Sequence, residues 1–327
     1  MTREPIPIEA YVSGIRGGDR ALLARAITLV ESSAADDRDR AEKLLAALLP
    51  EPATSLRIGV TGAPGAGKST LIEALGTYLT AADHRVAVTA VDPTSDISGG
   101  SVLGDKTRMS RLAADPRAFV RPSPSAGGRG GVAMRTREIV SLFEAAGFDI
   151  VIVETVGVGQ SETAVRSLVD FFLLMMVTGG GDELQAIKRG VGELADAVLI
   201  NKADGENRAR AEAARADYAR ALDYLQPATE GWATRTLVAS ALHSEGIAEL
   251  WDVIVAFRDN GARTGTLEER RRAQAWAWVR RIVDDTLRDR FYGAASIQAL
   301  LPDLERAVKA GETTPIAAAR ELLVTAR

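Results

Sequence analysis

Gly62-Ala63-Pro64-Gly65-Ala66-Gly67-Lys68-Ser69-Thr70 fits the pattern G-x-x-x-x-G-K-[ST] without a substitution. Before it, Leu56-Arg57-Ile58-Gly59-Val60-Thr61 reads as a short buried strand. After it, Ser69 to Thr80 reads as a helix with Leu71, Ile72, Leu75 and Leu79 on one face. A strand, a glycine loop and a helix in that order are the context that phosphate binding needs. Glycines let backbone N–H groups approach phosphate oxygens with no Cβ in the way. The helix N-terminus adds a favourable dipole. Lys68 is spaced to reach the β- and γ-phosphates, and the Ser69 hydroxyl to enter a Mg²⁺ shell.

Outward from this loop, apolar runs alternate with helical segments. The strand candidates are Ile58–Thr61, Val86–Val91, Phe119–Arg121, Ile150–Glu154, Phe171–Val177, Ala197–Ile200 and Leu237–Ala239. Most are continuously apolar, as strands covered on both faces must be. With helices between them, the spacing predicts an α/β fold of the P-loop NTPase kind, a doubly wound, mostly parallel sheet with helical N- and C-terminal extensions. The expected boundaries are 1–53 for an N-terminal helical extension, 54–262 for the nucleotide domain and 263–327 for a C-terminal helical arm. In the first segment Ala21–Val30 and Ala41–Leu49 are amphipathic, with Asp19 and Asp36 or Asp37 as caps.

Ligands in such sheets lie at the carboxyl ends of the strands, and the polar motifs fall there. Asp92 follows the second strand, where a carboxylate suits direct or water-mediated metal work. The Gly-rich stretch from Asp96 to Arg108 is too long for a mere connection. It reads as a loop that orders around γ-phosphate and Mg²⁺, with Asp105, Lys106 and Arg108 as candidate ligands. Glu154 ends an apolar strand and can hold the metal shell directly or through water, and the Gly157 N–H can contact a γ-phosphate. In small regulatory GTPases a water-orienting glutamine directly follows this glycine. Here Val158 stands in that place and cannot polarise water, so slow intrinsic hydrolysis is expected unless Gln160 or a group from a partner substitutes. Gln160 is either a catalytic residue or a plain loop residue. After the triple glycine at 179–181, Asp182 is a switch residue or only a helix cap, and Lys188 a catalytic cation or only a solvated one.

Asn201-Lys202-Ala203-Asp204 supplies the base-reading pattern N-K-x-D. The Asp204 carboxylate can accept from guanine N1–H and the exocyclic N2 amine together. Adenine would leave it unpaired, a discrimination of about 10⁴ or more. Asn201 can tie loops together, and the Lys202 stem can cover the ring face. Ser240-Ala241-Leu242 follows the last strand, where backbone N–H groups are placed to meet the guanine O6.

The bulk composition narrows the alternatives. The chain has 327 residues, 46% hydrophobic and 26% charged, with a net charge of -4. That balance marks no nucleic-acid or membrane-surface binder. There are no cysteines and two histidines, His84 and His243, far apart in the sequence. This excludes thiolate chemistry and argues against a metal-storage site of the kind expected in a nickel-insertion GTPase. No apolar run is long enough to span a bilayer, and Met1–Pro7 has neither leader nor transit character, so a cytoplasmic protein is expected. Beyond Gly261, Trp276, Trp278, Val279, Ile282, Val283, Leu287 and Phe291 put large apolar side chains on more than one face of a long helix. A lone arm cannot bury them all, so a subunit interface is expected.

With these residues in place the chain resembles the MeaB/ArgK family of P-loop GTPases, the chaperones of adenosylcobalamin-dependent methylmalonyl-CoA mutase. The resemblance covers nearly the whole chain. It rests on Gly62–Thr70, Asp92–Ser95, Leu103–Met109, Glu154–Glu162, Gly181–Gln185 and Asn201–Asp204. It implies that Ser69, Asp92, Asp105 and Glu154 serve the Mg²⁺ shell and that the loops at Asp92–Arg108, Glu154–Glu162 and Thr178–Lys188 act as switches. It further implies a homodimer through the C-terminal arm, with methylmalonyl-CoA mutase as partner and GTP or GDP as ligand. GTP binding and hydrolysis would gate cofactor loading, and the chain need not bind cobalamin itself. Two departures stand out: Gly128-Arg129 where a bulkier Thr-Leu pair is expected, and Thr178 where proline is expected. A kinase linked to amino-acid transport is the competing reading, but no clear base for a phosphoryl acceptor stands in the sequence.

Overall fold

The apolar runs pair into one sheet of seven strands in the order β3-β2-β4-β1-β5-β6-β7. They are β1 (Leu56–Gly62), β2 (Val86–Val91), β3 (Ala118–Arg121), β4 (Ile150–Thr155), β5 (Phe171–Val177), β6 (Ala197–Asn201) and β7 (Arg235–Val238). Every pairing is parallel. The computed structural model describes residues 5–32, 34–48, 55–91, 109–121, 132–155, 161–178 and 192–325. It divides the chain into two compact units, Met1–Arg270 and Arg271–Arg327.

The strands are apolar throughout because both faces are covered. On one face Ile58, Val60, Val88, Ile152, Phe171 and Leu173 pack with Leu71 and Leu75 of α4 (Lys68–Ala81). The same cluster takes in Leu112 of α5 (Ser110–Ala114). On the other, Ala87, Val151, Val153 and Phe172 pack with Ile139, Leu142 and Phe143 of α6 (Val132–Ala145). Alternate residues of β5 thus enter opposite cores, which is why the run carries no polar position. Farther along the sheet Leu174, Val198 and Ile200 meet Ala211 and Tyr218 of α8 (Arg208–Leu222), beyond the short α7 (Ser161–Arg166).

The N-terminal segment adds α1 (Ile8–Arg16), α2 (Arg20–Glu31) and α3 (Ala35–Leu48) to the α6 side, burying Ile15, Leu23, Ile27 and Leu44 against it. Asp19 caps α2, its Oδ1 accepting from the Ala21 and Leu22 N–H groups at 2.8 and 3.0 Å. Asp36 and Asp37 differ from the expected caps. Helix α3 begins at Ala35, so both lie in its first turn, and Asp37 instead accepts from the Ser32 hydroxyl at 2.7 Å. Strand β7 also begins earlier and ends earlier than its apolar residues suggest. Arg235 opens it, with its guanidinium over the Trp232 ring.

Helix α9 (Ile247–Thr264) ends at Gly265, and α10 (Thr266–Gly293) follows at once. In the second unit the rest of α10 leads into α11 (Ala295–Lys309) and α12 (Pro315–Thr325), with Ile297 and Leu304 buried. Trp276, Leu287 and Ile316 keep 61%, 59% and 74% of their surface. No described helix is long and apolar enough to cross a membrane.

Candidate functional site

The carboxyl ends of β1, β4, β5 and β6 lie side by side, with Val60 in register with Glu154 and Gly62 with Met175. The chain leaves β1 through a turn that only glycine fits. Gly62 has φ +153, and a Cβ there would stand 2.4 Å from the Met175 carbonyl oxygen. Gly67, at φ +89, heads α4 as its N-cap, and a Cβ on it would strike the Asn201 amide at 2.6 Å. Ala63, Pro64 and Gly65 face outward, whereas Ala66, Lys68 and Ser69 are buried and Thr70 is exposed. The Lys68 ammonium donates to the Gly62 carbonyl at 2.9 Å and lies 3.4 Å from that of Ala63. It therefore lies across the loop, held by the loop's own carbonyls.

Ser69, in the first turn of α4, donates its hydroxyl to Glu154 Oε1 at 3.1 Å. Glu154 is buried between β1 and β2 near the end of β4. Next to it the Thr61 and Thr155 hydroxyls meet at 3.0 Å, satisfying two buried polar groups inside the sheet. A hydroxyl and a carboxylate, both hard oxygen donors, thus converge beside the phosphate loop. That chemistry fits Mg²⁺, which takes one or two protein oxygens and fills its shell with waters and phosphates.

Asn201 joins the N-K-x-D run to the glycine loop. Its Nδ2 donates to the Ala66 carbonyl at 2.8 Å, and its Oδ1 accepts from the Ala241 N–H at 3.0 Å. One buried amide thereby ties the phosphate loop, the end of β6 and the turn after β7. Asp204 is held by the Ser240 hydroxyl, 2.9 Å from its Oδ2. The Ser240 N–H is engaged by the Glu245 carbonyl in a tight turn. Ser240 and Ala241 therefore use their polar groups to place Asp204 and Asn201, while Leu242 keeps 73% of its surface. Lys202 is exposed, with φ +61, a left-handed conformation uncommon away from glycine.

Asp92, Asp105, Lys106, Arg108, Gly157, Val158, Gln160, Asp182 and Lys188 lie outside the described residues. Glu73 was not legible as a site residue, yet its carboxylate accepts from the Arg111 and Leu112 N–H groups at 2.9 and 3.2 Å. The phosphate-loop helix thus fastens the chain just after the stretch that carries Asp92 and Asp105. A Glu on a mostly apolar helix face was the available signal.

Three comparisons bear on this arrangement. Residues 23–296 match the family model described as methylmalonyl Co-A mutase-associated GTPase MeaB. The GTPase ArgK of Escherichia coli is 44% identical, covering 94% of this chain and 93% of that protein. The mitochondrial methylmalonic aciduria type A homolog of Mus musculus is 43% identical, covering 97% and 79%. A solved structure described as an LAO/AO transport system kinase superposes with a TM-score of 0.78 at 37% identity, covering 98% of each chain.

Proposed function

This chain belongs to the methylmalonyl Co-A mutase-associated GTPase MeaB family, and on that premise we propose that it is a slow GTP switch that gates adenosylcobalamin loading into methylmalonyl-CoA mutase and protects that enzyme from inactivation. The family is one of P-loop GTPases, and the chain is a GTP hydrolase. The observation that carries the reading is the Asn201 bridge, which sets a phosphate seat and a guanine reader at one fixed spacing.

The residues divide the work. Backbone N–H groups of 62–70 and the α4 N-terminus hold the phosphates, and Lys68 exchanges two carbonyls for phosphate oxygens. Asp204, oriented by Ser240, accepts from guanine N1–H and N2, while the Lys202 stem covers the ring. Ser69 and Glu154 would hold Mg²⁺ together with Asp92 and Asp105. The ion, when bound, neutralises charge on the β- and γ-phosphates. Val158 gives the attacking water no polar partner, so turnover alone is slow, and Gln160, Lys188 or a partner's group supplies what is missing. The loops at 92–108, 154–162 and 178–188 report the γ-phosphate to the mutase. The exposed apolar residues of the 263–327 arm support a homodimer.

The solved structure described as a transport system kinase favours a second reading, transfer of the γ-phosphoryl to an acceptor. GTP labelled at the γ-phosphate separates the two. The switch reading expects all label as inorganic phosphate from the chain alone. Label passing to an amino acid or a protein, with none to water, would replace it with the kinase. Removing 271–327 tests the arm by native mass measurement, with a monomer expected and a surviving dimer against it.

A further inference from the structure

The base-reading loop is braced by two residues outside the N-K-x-D pattern, and we propose that Asn207 is a positioning residue for guanine selection. Its Nδ2 donates to the Lys202 carbonyl at 2.6 Å, and its backbone N–H donates to the Asp204 carbonyl at 3.0 Å. Its Oδ1 accepts from the Thr178 hydroxyl at 2.7 Å. A carbonyl can only accept, so the amide must turn its nitrogen to Lys202 and its oxygen to Thr178, which then donates.

The geometry explains why such a brace is needed. Lys202 holds a left-handed conformation at φ +61, and Gly205 another at φ +51, before the turn Gly205–Asn207 closes the loop. A non-glycine residue in that region relaxes unless its surroundings fix it. Asn207 grips the chain at 202 and at 204, so the backbone carrying the Asp204 carboxylate is held on both sides, while Ser240 holds the carboxylate itself. Thr178, the residue just after β5, ties the brace to the end of that strand. Proline, expected there from the family resemblance, has no hydroxyl to give. Pairing both oxygens of Asp204 with N1–H and N2 tolerates little displacement, so the brace acts on selectivity rather than on phosphate binding.

This inference rests on the guanine reading of the site, and its test keeps the two apart. Affinities of the full chain for GDP, IDP, XDP and ADP are measured with Mg²⁺ present. IDP lacks the 2-amino group, so the GDP to IDP ratio reports where the Asp204 carboxylate stands. Asn207→Asp keeps the acceptor for Thr178 and loses the donor to Lys202. It is expected to narrow the GDP to IDP preference about fivefold or more, with GDP weakened most. Equal losses for both nucleotides, or no loss, would overturn the proposal as a merely structural effect. Should Asn207→Asp fail to fold, Thr178→Val carries the test, with a narrowing of about twofold or more expected and an unchanged ratio overturning it. If the wild-type chain does not prefer GDP over ADP, or Asp204→Asn does not turn preference toward XDP, the guanine reading itself fails and takes the proposal with it.

Discussion

Ser69 and Glu154 meet across 3.1 Å, joining the first turn of α4 to the end of β4 at the point where a cation and a γ-phosphate would arrive together. The contact is between two buried groups on different elements, so it forms only when the sheet brings the end of β4 against the start of α4. It brings the hydroxyl that ends the glycine-loop motif together with a carboxylate from a strand far along the chain.

Glu154→Gln retains the shape and removes the charge. Its Mg²⁺ requirement for GTP turnover should rise about tenfold or more, because one anionic oxygen leaves the shell. GDP binding in the absence of the metal should change little. A Mg²⁺ titration of GTP turnover beside a metal-free GDP titration reads both, and an unaltered Mg²⁺ half-saturation would remove Glu154 from the shell.

Breaking the buried ion cluster at the opposite end of the sheet should be costly. Asp196 is fully buried at the start of β6 and accepts from Arg166 at 2.8 Å and from the Phe172 N–H at 2.9 Å. The Arg270 guanidinium stands 3.8 Å away, its pKa held below the ordinary arginine value first by burial and then by the charge of Arg166. Asp196→Ala leaves two buried arginines beside each other without that carboxylate. A loss of ~3–5 kcal/mol is expected by chemical denaturation. A loss under about 1 kcal/mol would show that water reaches the cluster.

Glu138, on α6, gives a pH signature. Burial raises its carboxyl to about 7, with Arg135 opposing. The folded chain therefore holds this proton at pH values where the unfolded chain has released it. That contribution is present below the ordinary glutamate value and is lost as pH rises through about 7. Glu138→Gln should match the wild type near pH 5 and gain on it by ~1–2 kcal/mol near pH 8, allowing for partial exposure. Thermal melts across that range check it, and a stability difference that stays constant with pH would count against the buried, proton-retaining carboxyl.

What the sequence disclosed follows from how local each feature is. The strands of the central sheet are readable because each is covered twice and so is apolar along its whole length, as in Phe171–Val177. The edge strand β7 is less readable. Arg235 enters it by donating its N–H to the Asp196 carbonyl, and Thr236 by pairing in register with Val198, partners that no short window contains. The phosphate loop and the N-K-x-D run carry their chemistry in consecutive residues. Glu73, Asn207, Thr178 and Asp196 do not. Their roles arise from partners distant in sequence, Arg111 for Glu73, Thr178 and Asn207 for each other, and Arg166 for Asp196, and their residue types are commonplace on surfaces. Asp37 shows the converse, an acid whose sequence place suggests a cap but whose helix already begins at Ala35, which puts it inside the first turn.

A GTP hydrolase with Val158 where a water-orienting group is needed should turn over slowly until a partner supplies that group. Steady-state GTP turnover of the full chain, measured with and without methylmalonyl-CoA mutase, tests it most directly. Addition of the mutase should raise the rate about tenfold or more, as supplying a missing water- or charge-orienting group does. Lys68→Ala should abolish the rate in both conditions. Turnover indifferent to the mutase, with no co-migration of the two proteins, would remove the mutase-gated switch.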